Sequence, residues 1–252
     1  MIGGSFEFTG APFYTAIASL KAGGDLAHIF CSKSASIAIK AYSPEVIVHP
    51  VFVSQNEVKL TEEELIQAHE DWLKKILSWK NAINSWVIGP GLGRDDYMSS
   101  FFPKLIKSLP SGCLTVLDAD GIYFLSKYPE LLGELKRFKT ILTPNARELS
   151  LLKQIIDLDI EDLYEKYRSE EEIQEIPSSE KFKDFSICVK GREDLILTNK
   201  RSFIVRTIGG NKRCGGLGDV LTGIISVTGS WDEEYGMVLG SKIMRTATRA
   251  AF

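Results

Sequence analysis

The stretch "IGGNKRCGGLGDVLTGII" (208–225) places five glycines, two adjacent bases and one acid between Gly209 and Asp219, then runs into apolar residues. Glycine loses the most conformational freedom on folding and packs nothing, so this density needs a backbone reason. Leu217, Val220, Leu221, Ile224 and Ile225 recur on one helical face, which predicts a helix beginning at Gly216 or Leu217. The glycines before it then deliver backbone N–H groups to a helix N-terminus, an anion-binding arrangement, and Lys212 and Arg213 add positive charge. Asp219 has two readings. It could be a dipole partner of the helix, worth about 0.3–1 kcal/mol. Beside a bound phosphate it would be repelled unless it acted on the incoming hydroxyl, and position and chemistry favour that role: a base that deprotonates a nucleophile while the loop holds the transferred phosphoryl group. The spacing departs from GxxxxGK[ST], so this is not a P-loop.

Such a site needs a scaffold, and the chain supplies an alternation of short β-like and longer helical runs. Strands are predicted at 27–32, 45–52, 85–90, 114–120, 139–145 and 185–191. "APFYTAIASLKAGG", "TEEELIQAHEDWLKKILSWKNAI" and "DDYMSSFFPKLIKSL" have helical spacing. This pattern predicts an α/β fold, a parallel sheet covered on both faces by helices, with ligands at the carboxyl ends of its strands. Four polar motifs stand at those ends: "GPGLGR", "DADG", "TPNARE" and "KGRED". Each alone reads equally well as a turn. Asp118 and Asp120 of "DADG" have the chemistry for a metal or a ribose, or for capping the following helix.

Bulk properties narrow the partners. The 252 residues suit one large domain with a substantial core. Net charge is -3, so no basic field advertises nucleic acid or an anionic membrane. Cys31, Cys113, Cys188 and Cys214 are scattered without a CxxC pair, which fits a reducing compartment. No apolar run is long enough to span a membrane, and the N-terminus resembles neither a signal nor a transit peptide, so a cytoplasmic location is expected. A mitochondrial form would require a targeting segment upstream. His28, His49 and His69 lack ligand-like grouping, the four tryptophans read as core and helix packing, and no Ser-His-Asp or Cys-His order stands out. Residues 157–175, with nine acids and two bases, read as a solvated insertion or mobile loop.

Taken in order, "IGGSFEFTGAPFYTAIASLKAGGDLAHIFC", "SPEVIVHP", "GPGLGR", "DADG", "LTPNARE", "KGRED" and "GGNKRCGGLGDVLTG" resemble the NAD(P)H-hydrate dehydratases, and the eukaryotic, ATP-using branch most. The resemblance implies a ribokinase-like three-layer α/β/α sandwich. It implies ATP and Mg²⁺ as cofactors and hydrated NADH and NADPH as substrates, whose ring hydroxyl is phosphorylated and then eliminated as phosphate. Carried across by motif, Asp219 is the base. Gly91 and Asn145, Ala146, Arg147, Glu148, Leu149, Ser150 and Leu151 meet the substrate, with Glu148 also near the metal. Lys190, Gly191, Arg192, Glu193 and Asp194 line the nucleotide pocket. Gly209, Gly210, Asn211, Lys212, Arg213, Cys214, Gly215, Gly216, Leu217 and Gly218 cradle the phosphates. Leu149 and Leu151 stand where the family usually has aromatic and basic residues, so the resemblance implies a substrate contact that is either weakened or moved to Arg147.

By this resemblance residues 1–252 form a single domain that lacks a leading strand and helix before "IGGS" and further helix after "RTATRAAF". A homo-oligomer is compatible with the sequence. Two rivals remain. One is a kinase of the same fold acting on a vitamin precursor or sugar alcohol, opposed by the "FTGAP" opening and by "SPEVIVHP". The other is an inactive nucleotide-binding or scaffold protein, opposed by Asp219 and the intact glycine loop.

Overall fold

A computed structural model describes residues 1–158, 160, 162–212 and 214–251. In chain order the elements are α1 (Gly10–Lys21), β1 (Ala27–Ser32), α2 (Lys33–Tyr42), β2 (Val46–Phe52), α3 (Glu62–Leu77), β3 (Ser85–Ile88), α4 (Asp96–Ser108), β4 (Leu114–Leu117), α5 (Asp120–Lys127) and α6 (Leu132–Leu135). There follow β5 (Lys139–Leu142), α7 (Ala146–Leu152), α8 (Leu163–Lys166), β6 (Ile173–Ile176), β7 (Ser186–Val189), β8 (Asp194–Leu197), β9 (Ser202–Val205), α9 (Leu217–Trp231) and α10 (Glu233–Ala251).

Seven strands form one sheet in the order β3-β4-β5-β7-β8-β9-β6. Pairing is parallel from β3 to β7 and antiparallel from β7 to β6. All six strands expected from sequence are present, and the antiparallel β8, β9 and β6 are additional. β1 and β2 form a parallel pair beside this sheet. Ile2 bridges the two, lying parallel to Phe30 of β1 and to Ile88 of β3. Its N–H donates to Val87 O at 2.7 Å and its carbonyl accepts from Gly89 N at 3.0 Å.

Successive strand residues point to opposite faces, and here both faces are apolar, as a sheet covered on both sides requires. Trp86 and Ile88 join Leu117, Leu142 and Ile187 against Trp72, Phe101 and Phe102 of α3 and α4. Val87 joins Val116, Ile141 and Cys188 against Ala16, Leu221, Ile225 and Met237 of α1, α9 and α10. Helices α2, α3, α4 and α7 start where side chains satisfy their first N–H groups. Thr61 and Glu64 form a reciprocal capping box at α3, and the Asp95 carboxylate accepts from Tyr97 N and Met98 N at α4.

Three expectations need correction. The acidic segment 157–175 is more than a solvated loop: Leu158 and Ile160 are buried, α8 lies within it, and β6 closes the sheet edge against β9. Among the described residues its acids face outward, with Glu175 paired to Arg201 at 2.5 Å, and the next residue along β6, Ile176, enters the core. Charge count therefore hid buried apolar residues scattered between the acids. The histidines are not ungrouped either. Parallel pairing of β1 with β2 brings His28 Nδ1 to 2.9 Å from His49 Nε2. Of the tryptophans, Trp72 and Trp86 are core, Trp79 packs on both imidazoles, and Trp231 is exposed at the end of α9.

The Met1 amine is buried and donates to His28 O at 2.8 Å. Burial lowers its pKa from 8.0 to about 5. Burial, with the neighbouring His28 and the amine, lowers that of His49 to about 4, and His28 is lowered chiefly by burial. All three bind protons more readily in the unfolded chain, so stability rises with pH across their window. Above pH 6 the carboxylates are largely ionised and the amine dominates. With a free amine at Met1, unfolding free energy should rise by about 2 kcal/mol from pH 6 to pH 8. Urea denaturation at both pH values measures this, and acetylating the amine should flatten the profile. A profile already flat in the unmodified chain would place the amine in water.

Candidate active site

The site lies at the carboxyl ends of β4, β5 and β7 and at the start of α9. Asp118 follows β4 and Lys190 follows β7. Lys190 Nζ donates to Asp118 Oδ1 at 2.6 Å, and Thr222 Oγ1, from the first turns of α9, donates to Asp118 Oδ2 at 2.7 Å. Thr143, after β5, sits with its hydroxyl 3.4 Å from that of Thr222. Strands β4 and β7 are separated by β5, so this pair links chain segments that only the sheet brings together.

Backbone geometry makes the close approach practicable. Gly89 has φ +123°, and a Cβ there would collide with the carbonyl oxygen of Asp118. Ala119 has φ +48°, a left-handed value costly for a side chain, directly after Asp118. The turn thus presents the Asp118 carboxylate at the carboxyl end of the sheet while its N–H donates to Ile88 O of β3 at 3.1 Å. Asp120 does something else. Its oxygens accept from Gly93 N at 3.0 Å and Arg94 Nε at 2.6 Å, which fastens the "GPGLGR" loop to α5.

The glycine-rich loop ends as its sequence predicts. Gly216 takes the left-handed conformation (φ +89°) as the residue before α9, and Asp219 lies in the first turn. Gly218 faces Lys190, since a Cβ there would lie 3.3 Å from Nζ. Gly216 abuts the Tyr14 ring of α1, whose start also meets Gly91: a Cβ there would lie 2.7 Å from Phe8 O. The N-terminal turn of α1 therefore joins the Gly91 loop to the phosphate-type loop. Gly210 N donates to Thr248 Oγ1 of α10. Cys214 is exposed, and Arg213 lies outside the described residues.

Glu148 belongs to a capping box at α7. Asn145 Oδ1 accepts from Arg147 N and Glu148 N, while Glu148 accepts from Asn145 N at 3.0 Å and Asn145 Nδ2 at 2.7 Å. Burial raises the Glu148 pKa, and the Asp118 charge adds to that, against Lys190 and the Asn145 hydrogen bonds. Burial likewise raises Asp219, to about 6, with Asp118 and Glu148 adding and Lys190 opposing. Lys190 is also buried, which disfavours its charge, yet Asp118 and Glu148 more than offset this and raise its pKa. Three carboxylates thus share one ammonium. No cluster of three ligand-type side chains is assembled into a closed metal cage among the described residues. A divalent ion carried by phosphates needs only one or two carboxylates, and this excess of negative charge suits it.

Residues Ala146, Leu149 and Ser150 face Lys190, Gly191, Arg192 and Glu193 across one cavity of about 740 Å³. Leu151 is not part of its lining, and Arg147 is exposed. The Asp194 carboxylate turns inward: it accepts from Gly191 N at 3.0 Å, Ser241 Oγ at 2.5 Å, Arg245 Nη2 at 2.7 Å and Arg245 Nε at 2.8 Å. Arg245 also donates to Gly191 O and Arg192 O, so α10 clamps the "KGRED" loop. Motif reading overlooked Thr222, Thr143 and Arg245. Thr222 alone left a signal, standing three residues after Asp219 on the same helical face.

The buried Arg245–Asp194 pair yields a stability prediction. Removing one partner strands the other's charge, so Arg245→Met should lower unfolding free energy by about 3–5 kcal/mol in urea titrations. A loss below about 0.5 kcal/mol would show that the loop holds without it.

A family model described as NAD(P)H-hydrate dehydratase matches residues 1–250. A Ciona intestinalis protein named ATP-dependent (S)-NAD(P)H-hydrate dehydratase is 38% identical over 232 residues, covering 92% of this chain and 59% of that protein. A Sorghum bicolor protein of the same name is 35% identical over 237 residues, covering 93% and 60%. The chain thus spans about 60% of the length of these curated relatives. Among solved structures, a ribokinase-like superfamily protein from Enterococcus faecalis superposes with TM-score 0.67 at 19% identity, covering 97% of this chain and 76% of that one. The ADP/ATP-dependent NAD(P)H-hydrate dehydratase of Bacillus subtilis, co-crystallised with ATP/Mg²⁺ and soaked with CoA, gives 0.59 at 18% identity, covering 97% and 79%. The two superpositions show a ribokinase-like fold. With its family model spanning nearly every residue, the chain belongs to the NAD(P)H-hydrate dehydratase family.

Proposed function

We propose that this chain restores hydrated NADH and NADPH to NADH and NADPH at the expense of ATP. The observation that carries this reading is Asp219 in the first turn of α9, behind the left-handed Gly216 and close enough to Asp118, Glu148 and Lys190 to feel their charges. The names of the relatives supply the substrate class.

The loop from Gly209 to Gly218 and the α9 N-terminus hold the nucleotide phosphates through backbone N–H groups and the helix dipole. Asp219 takes the proton of the ring hydroxyl, and that oxygen forms a bond to the γ-phosphorus as the bond to the β-phosphate bridging oxygen breaks. Lys190, held charged by Asp118 and Glu148, stands beside Gly218 and balances negative charge there. In the second stage the ring C–O bond breaks, phosphate leaves with its electron pair, and the adjacent ring carbon gives its proton to the departing phosphate as the double bond re-forms. Mg²⁺, with Glu148 and Asp118 as the side chains placed to hold it, would neutralise phosphate charge during transfer. Gly91 and the Asn145–Leu151 segment position the hydrated ring. Asp194 acts at one remove, by holding Gly191.

Addition of the protein to hydrated NADH should restore absorbance at 340 nm only with ATP and Mg²⁺ present, releasing free phosphate. Recovery without nucleotide, or accumulation of a stable phosphorylated product, would overturn the reading. Asp219→Asn should lower turnover by roughly 10²-fold or more, with ATP affinity retained. Since Asp219 must be ionised to accept a proton, and its pKa is about 6, turnover should fall as pH drops through 6. Near-normal turnover in the variant would return Asp219 to a helix-dipole role.

A further inference from the structure

Arg94 is held by α5 and only partly used. Its Nε donates to Asp120 Oδ1 at 2.6 Å, and its guanidinium carbon lies 4.1 Å from the centre of the Tyr123 ring. Asp120 and Tyr123 stand three residues apart in the first turn of α5, so they share one face of that helix. The other Asp120 oxygen accepts from Gly93 N, which locks the guanidinium and its own loop to the same carboxylate. Arg94 remains 47% exposed, and its two Nη groups donate to nothing among the described residues. A long side chain that folding has already ordered loses little freedom on binding, so the unused donors are prepared for a ligand.

Those donors belong to a cavity of about 450 Å³ at the carboxyl ends of β1, β2 and β3, in which Arg94 is the one cation among the described residues. Three carboxylates share the lining. Glu57 accepts from Ser54 N at 2.9 Å, and Asp95 accepts from Tyr97 N and Met98 N, so backbone N–H groups already engage two of them. Glu7 is exposed. An anion entering this cavity therefore has one favourable place, the guanidinium at its Gly93 edge. Two free Nη groups match two oxygens of a phosphate or diphosphate. Gly91 lies three residues before Arg94, a reach of at most about 10 Å. In the hydrated dinucleotide one ribose separates the ring from the diphosphate, a comparable length.

We propose, resting on the function above, that Arg94 binds the diphosphate of the hydrated dinucleotide, with Asp120 and Tyr123 as the residues that position it. The dinucleotide then lies on the β3 side of the centre. The "KGRED" loop that serves ATP follows β7, and β4 and β5 separate these two strands.

NADH and reduced nicotinamide riboside, which shares its ring and first ribose but carries no phosphate, test this by their own fluorescence. Binding is measured on the full chain with Mg²⁺ and a non-hydrolysable ATP analogue filling the other site. Arg94→Gln should weaken NADH roughly tenfold or more relative to the riboside. Arg94→Lys, which keeps the charge but loses the fork, should show an intermediate loss. Tyr123→Leu should also weaken NADH selectively, because the guanidinium loses its platform. Wild-type NADH binding no tighter than that of the riboside, or unmoved by Arg94→Gln, would overturn the proposal whether or not hydrates are repaired. So would equal losses for both ligands, since Arg94 would then act only by holding its loop. A parallel loss of affinity for the ATP analogue would overturn it by giving Arg94 to the other nucleotide. A selective loss for NADH, with no repair of either hydrate by the wild type, would uphold the subsite and sink the repair reaction.

Discussion

One ammonium group holds the site together. Lys190 is buried, and a lone buried cation is costly to desolvate unless opposite charge compensates it. Asp118 supplies a direct bond at 2.6 Å, and Glu148 adds to the field that keeps the lysine charged. The same arrangement leaves Asp219 with too many negative neighbours, and together with burial this moves its proton affinity into the range where a carboxylate can both take and release a proton near neutrality. Burial thus raises the Asp219 pKa first, and the two members of a nearby ion pair adjust it in opposite directions, Asp118 upward and Lys190 downward.

Much of the surrounding backbone serves that pair. Asp118 reaches the carboxyl end of the sheet because a glycine follows β3, against which its carbonyl can pack, and because Ala119 accepts a positive φ. Lys190 reaches it from β7, whose following loop is clamped by Arg245 and Asp194. Polar groups with every bond satisfied rigidify such a centre, whereas a partly satisfied network would destabilise it. Thr222 closes the set by spending its hydroxyl on Asp118 from the helix that also bears Asp219.

The acidic stretch shows how composition can mislead. Its described acids lie outward, while Leu158 and Ile160 are buried and Ile160 and Tyr164 form part of a cavity wall. The cations of that cavity stand just after α7, after α8, in the β7–β8 turn and after β9, far apart in sequence, and outnumber Glu165 and Glu193 in the same lining. A chain of net charge -3 can therefore hold a local cationic pocket, because net charge sums over residues that never meet.

The sequence alone determined those features that depend on local order. Apolar periodicity located the six expected strands and α9, and glycine density identified the turn at Gly216, since helix, strand and turn preferences act over a few residues. Order of motifs likewise marked Asp219, "KGRED" and "TPNARE" as strand-end or helix-start residues. Tertiary structure alone decided which of two nearly adjacent acids enters the centre: Asp118 meets Lys190, and Asp120 holds Arg94. It also turned Asp194 away from the cavity and brought Thr222, Thr143 and Arg245 into support. Those choices depend on strand pairing and on contacts across 72 residues between Asp118 and Lys190, or 51 between Asp194 and Arg245, and no local preference encodes such distances.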